Sequence, residues 1–101
     1  MPVQPPVNII TREVLTWRGL HLLHMPVSLC SRKVGVVLTL KGLRSKSHAK
    51  GLSDLRTPWY LGINLRGLVP VLLHVGDVVT ERNDILTHLE QHFPMLPFAA
   101  A

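Results

Sequence analysis

The dipeptide Val69–Pro70 constrains this chain more than any other feature, because it stands at the head of the apolar run Val71-Leu72-Leu73-His74. Proline has no N–H to donate to a ladder, so it belongs in a turn at the strand's mouth and not inside a central strand. A cis Val69–Pro70 bond, the minority isomer of X-Pro bonds generally, would turn the Val69 backbone outward to pair with an extended peptide ligand. After the run, Val75-Gly76 reads as a hairpin turn and Asp77-Val78-Val79-Thr80 as a returning strand that passes straight into a helix. Residues 57–93 therefore read as turn, strand, hairpin, strand, helix.

The rest of the chain supplies partners for that unit. Residues 19–24 are mostly apolar, as a buried central strand should be. Met25-Pro26-Val27-Ser28 ends this strand. Beyond it, Val34, Val37, Leu38 and Leu40 recur at helical spacing until Lys41-Gly42 stops the helix with a basic last turn and a glycine. Residues 43–54 are polar and basic and the least regular part of the chain, so their pattern does not define a second strand. Pro58 opens a short helix with Trp59, Leu61 and Ile63 as packing residues. The last helix is expected to take Thr80 as N-cap with Glu81 in its first turn, to carry Ile85, Leu86, Leu89 and Phe93 as its apolar stripe, and to end at Pro94 and Pro97. The expected order is β-α-β-α-β-β-α, a mixed four-stranded sheet with helices packed on it. Residues 1–18 are expected to form an extension, 19–94 the domain and 95–101 a tail.

A chain of 101 residues makes one domain with a modest core. No apolar run approaches the roughly eighteen residues that span a bilayer, so no membrane association is expected. The N-terminus lacks the layout of a secretory signal, and the single cysteine, Cys30, cannot form an internal disulfide; both point to the cytoplasm. The net charge of +5 would suit nucleic acid only if the basic residues clustered on one surface. They are scattered, so no nucleic-acid partner is expected, and a mild positive field suits a small anionic ligand instead.

Three segments carry a family resemblance: Pro58-Trp59-Tyr60-Leu61-Gly62-Ile63-Asn64, Gly67-Leu68-Val69-Pro70-Val71-Leu72, and Gly76-Asp77-Val78-Val79-Thr80-Glu81. With Asn83-Asp84-Ile85-Leu86 and Phe93-Pro94 after them, residues 20–94 resemble the thioredoxin-like N-terminal domain of the soluble glutathione S-transferases. The resemblance implies an α/β, thioredoxin-like fold that binds glutathione as substrate and activates its thiol for attack on a small electrophile. It implies Ser28 as the hydroxyl that stabilises the glutathione thiolate, and Val69 and Pro70 as the main-chain holders of the cysteinyl unit. Glu81 and Arg82 would cradle the γ-glutamyl end.

Bland roles compete with these. Capping the first helix is the competing role for Ser28 and the favoured one for Ser31. Cys30, in that helix's first turn, is either a small packing residue or a reactive thiol able to form mixed disulfides.

The chain departs from the family at Arg82, where serine is usual, at Leu65 and Leu68, at Gly35 inside the first helix, and in the short segment 43–54. Arg82 either pairs with the glutamyl carboxylate or crowds its pocket. In the family an all-helical second domain follows and supplies most of the electrophile pocket. Its absence from this sequence implies weak or no activity for the isolated domain, and a homodimer or other association through the uncovered face of the last helix beside Leu96 and Phe98. The alternative function is a non-catalytic thioredoxin-like protein-interaction domain.

Six histidines raise a metal site, which the spacing disfavours. His21 and His24 do not share a strand face. His88 and His92 stand four apart but lack a glutamate at the next position and an evident third ligand. The expectation is no metal, with His88 and His92 on the solvent side of the last helix.

Overall fold

In the computed structural model, which describes residues 9–94, the elements are β1 (Leu20–His24), α1 (Leu29–Leu40), β2 (Ser45–Ala49), α2 (Pro58–Leu61), β3 (Val71–His74), β4 (Asp77–Val79) and α3 (Arg82–His92). The sheet order is β2-β1-β3-β4. β2 runs parallel to β1, while β3 is antiparallel to both β1 and β4. This is the expected β-α-β-α-β-β-α arrangement.

β3 occupies the centre because its side chains are buried on both faces. The period of two divides the core into two layers. On one face Leu20, Leu22, Leu72 and Val79 meet Val34, Val37 and Leu38 of α1 and Ile85 and Leu89 of α3. On the other, Leu23, Val71, Leu73 and Val78 meet Tyr60, Ile63, Leu55, Val14 and Ile9.

β2 forms without an apolar pattern. All five residues of Ser45-Lys46-Ser47-His48-Ala49 pair in register with β1, and none is buried. An edge strand needs one ladder, not a core face, and exposed polar side chains with a lysine among them discourage pairing with another chain.

From Ile9 onward the segment ahead of β1 packs onto the domain. A 3-10 turn at Arg12–Thr16 puts Val14 in the core. Ile10 N donates to Gly62 O at 2.8 Å, and Thr11 Oγ1 donates to Trp59 O at 2.5 Å. A Cβ on Gly62 would collide with Thr11 Oγ1, so this close approach requires glycine.

α1 ends as its sequence suggested. Gly42 takes φ +67, Gly42 N bonds Thr39 O and Leu43 N bonds Leu38 O, each at 3.0 Å, which together make a Schellman motif. Lys41 is buried, its Nζ bonding Phe93 O at 2.9 Å and Glu90 Oε2 at 3.0 Å, so it ties the end of α1 to the end of α3.

The start of α3 differs from expectation. Thr80 is buried at the end of the sheet, and Glu81, with extended backbone, is the N-cap. The Glu81 carboxylate makes no capping bond and pairs with Arg66 instead.

The uncovered apolar face expected on α3 is not found among the described residues. Ile85 and Leu89 are buried in the sheet-facing core, and Leu86 is half-buried against it. Leu96 and Phe98 lie outside the described residues. No described helix is long and apolar enough to cross a membrane.

Candidate functional site

Strand register brings three loops to one end of the sheet. Leu23 near the end of β1 faces Val71 at the start of β3, and Leu72 faces Val79 at the end of β4. The loop leaving β1 toward Ser28, the loop entering β3 through Val69–Pro70, and the turn leaving β4 toward Glu81 and Arg82 therefore share that end. α1 and α3 both start there, so two sets of unpaired helix N–H groups and two positive dipole ends face the same region. Such a place favours an anion.

The individual residues fall into place as follows. Ser28 is the N-cap of α1, its Oγ accepting from Ser31 N at 3.3 Å. A hydroxyl accepts and donates at once, so capping leaves its own hydrogen available. The Val69–Pro70 bond is cis; Pro70 is buried and Val69 packs against the core. Cys30, Glu81 and Arg82 line one open pocket of about 400 Å³ with Asn83 and Asp84. Arg82 Nη1 approaches Cys30 Sγ at 3.9 Å across the gap between the two helix starts. A larger concavity of about 570 Å³ between α1 and β2 contains none of the expected residues.

Sequence reasoning missed what holds the proline loop. Tyr60 Oη and Asn64 Nδ2 both donate to Leu68 O, at 2.5 and 3.1 Å, and so fix the backbone just ahead of Val69. Tyr60 is fully buried, which pushes its phenol well above the ordinary tyrosine range and keeps it a donor. In the sequence the only hint was that Asn64 stands four residues after Tyr60, just beyond a short helix.

The second miss lies at the opposite end of the sheet. His88 is buried at 1 % exposure, not on the solvent side of α3. The helix turns His88 toward the sheet along with Ile85 and Leu89, and its Nε2 lies 2.9 Å from His74 Nδ1. His92 stacks on His88 with ring centroids 4.0 Å apart and is exposed, as expected. Burial, then the neighbouring histidines, hold His74 and His88 below the ordinary histidine range, with Asp77 opposing weakly. His21 and His48 form a separate pair at 3.0 Å beside Trp17.

Comparison with known proteins agrees with this geometry. Residues 27–92 match the family model described as glutathione S-transferase, N-terminal domain. The chain is 35% identical over 80 residues to glutathione S-transferase 1 of Dianthus caryophyllus, an alignment covering 77% of this chain and 36% of the relative. It is 32% identical over 77 residues to the human ganglioside-induced differentiation-associated protein 1-like 1, covering 74% of this chain and 21% of that one. Among solved structures, the β-etherase LigF of Sphingobium sp. strain SYK-6 superposes with a TM-score of 0.71 at 35% identity, over 76% of this chain and 32% of the other. The chain thus spans about a fifth to a third of the length of these relatives.

Proposed function

The chain belongs to the glutathione S-transferase N-terminal domain family, and on that premise we propose that it binds glutathione where β1, β3 and β4 converge and readies its thiol for attack on a small electrophile. The observation that carries this reading is the convergence itself: sheet register brings the Ser28 loop, the cis Val69–Pro70 turn and the start of α3 to one end. In this reading the main chain at Val69 holds the cysteinyl unit in an extended pose. The first turn of α3 and Glu81 receive the γ-glutamyl end, whose carboxylate meets backbone N–H groups and whose ammonium meets a carboxylate. Ser28 donates its hydroxyl hydrogen to the sulfur, which favours the thiolate over the thiol. The Cys30 side chain lines the same pocket and is the alternative reactive group.

Conjugation belongs to the whole enzyme in the family, so catalysis by this domain is expected to be slow. Residues 1–18 and 95–101 are proposed to flank a domain spanning 19–94. A second reading, a non-catalytic association domain, is favoured by one feature: Arg82 occupies the pocket with its guanidinium turned toward Cys30. One relative carries a transferase's name and another does not. Immobilised glutathione separates the two. Retention, with elution by free glutathione, is the expected result, and passage without retention would favour association.

A further inference from the structure

The end of the sheet away from Ser28 has a chemistry of its own. His74 closes β3 and Asp77 opens β4, paired across the hairpin turn at Val75 and Gly76. The last turns of α3 bring His88 and His92 against them. One ligand atom from each of His74, Asp77, His88 and His92 lies within 4.8 Å of all the others. We propose that these four residues hold a zinc ion, which fastens the β3–β4 hairpin to the C-terminal end of α3.

The donor set selects the ion. Three imidazoles and one carboxylate suit zinc, whereas calcium and magnesium require oxygen ligands throughout. Four protein ligands also make a closed, structural site in place of a catalytic one with an open position.

The geometry is close to what zinc needs. Tetrahedral zinc with Zn–N near 2.0–2.1 Å puts neighbouring donors about 3.3 Å apart, and His74 Nδ1 and His88 Nε2 already stand 2.9 Å apart. The widest separation must close by roughly 1.5 Å to reach that spacing. Asp77 is half-buried at the turn, so rotation of its carboxylate, with small adjustments of the rings that keep their hydrogen bonds, can supply it.

Protons balance as well. In the His74–His88 pair one ring donates to the other; zinc binding requires only that this ring move its N–H to its second nitrogen, with no net loss of a proton. His92 Nδ1 lies 3.0 Å from His88 O. That bond holds the N–H on Nδ1 and leaves the Nε2 lone pair for a metal, the orientation by a backbone carbonyl that metal-bound histidines usually have. The negative end of the α3 dipole adds a small attraction for a cation. Arg82 lies about 9–15 Å away along the helix from His88 and His92 at 1.5 Å per residue, so the site stands apart from the glutathione pocket.

The test uses the 101-residue chain, stripped of metal and titrated calorimetrically with zinc chloride in a buffer that does not bind zinc. The expected result is saturation at one zinc per chain with a raised thermal midpoint. His92→Gln and Asp77→Asn should each weaken binding by at least about 10-fold, the lower bound for disturbing even an outer partner of a metal site, and His21→Gln should not. Both variants alter side chains at or near the surface, and circular dichroism of each confirms the fold. Cobalt substituted for zinc should give a four-coordinate visible spectrum without a thiolate band, excluding Cys30. No saturable binding by the wild-type chain, undiminished affinity in both variants, or loss on His21→Gln would each overturn the proposal.

Discussion

In the proposed glutathione site Arg82 is the residue on which affinity is expected to turn, because two opposed effects meet there. A guanidinium can pair with the glutamyl carboxylate, yet the first turn of α3 already offers backbone donors to that group. Arg82 is half-buried and reaches to within 3.9 Å of Cys30 Sγ, so its side chain occupies space between the two helix starts. Obstruction is expected to win. Arg82→Ser should tighten glutathione binding in a calorimetric titration; a loss of about 1.5–3 kcal/mol, the worth of a hydrogen bond to a charged group, would mean that arginine acts as a clamp. Arg82 and Glu81 could be singled out from sequence only through the family resemblance, which carries over the γ-glutamyl position to them. Their neighbours could not: Cys30 lies 52 residues from Arg82, and Arg66, the partner of Glu81, lies 15 residues before it. Pairings of that kind depend on packing, which no local pattern encodes.

Elements with an apolar pattern were legible, and the one without was not. α1 and α3 announce themselves by helical period and β1 and β3 by continuous apolar runs, whereas β2 presents no core face and is defined only by its ladder with β1. Gly35 illustrates a local cost that packing does not compensate. A Cβ built there meets nothing within 4 Å, and the backbone is helical. Gly35→Ala should therefore stabilise the domain by about 0.5–1 kcal/mol, seen as a higher urea midpoint with unchanged slope; destabilisation would show that α1 needs the glycine. Lys41 was legible only as a basic residue at a helix end. Its Nζ in fact bonds Phe93 O and Glu90 while its side chain is 1 % exposed. Because the Glu90 side chain is 42% exposed and so screened, most of the loss in Lys41→Ala should come from the carbonyl bond and buried stem, about 1–2 kcal/mol. A midpoint within error of wild type would contradict that.

Across the whole molecule the two ends of the sheet carry different groups, and pH distinguishes them. His88 has its pKa lowered by burial, by His92 and by His74, against a smaller opposing effect of Asp77; His74 is lowered by burial and His92. Above the ordinary histidine value of 6.5 neither folded nor unfolded chain is protonated there, and their contribution to stability is complete. As pH falls below 6.5 the unfolded chain takes up protons that the folded one refuses, so stability declines until the folded values are reached. With a chelator present, the urea midpoint should fall between pH 7.5 and 5.5, and an unchanged midpoint would place these rings in water. Each half of the cluster is visible locally, as a hairpin pair and as an i, i+4 pair. Their meeting is a consequence of α3 packing on β3, which is why the sequence suggested no metal. Glutathione binding at the other end of the sheet is tested by a two-dimensional amide NMR titration with glutathione. Shifts should concentrate at Ser28, Cys30, Val69, Val71 and Glu81 through Asp84, with His74, His88 and His92 unmoved. Absence of shifts, or shifts centred on the α1–β2 concavity, would contradict it.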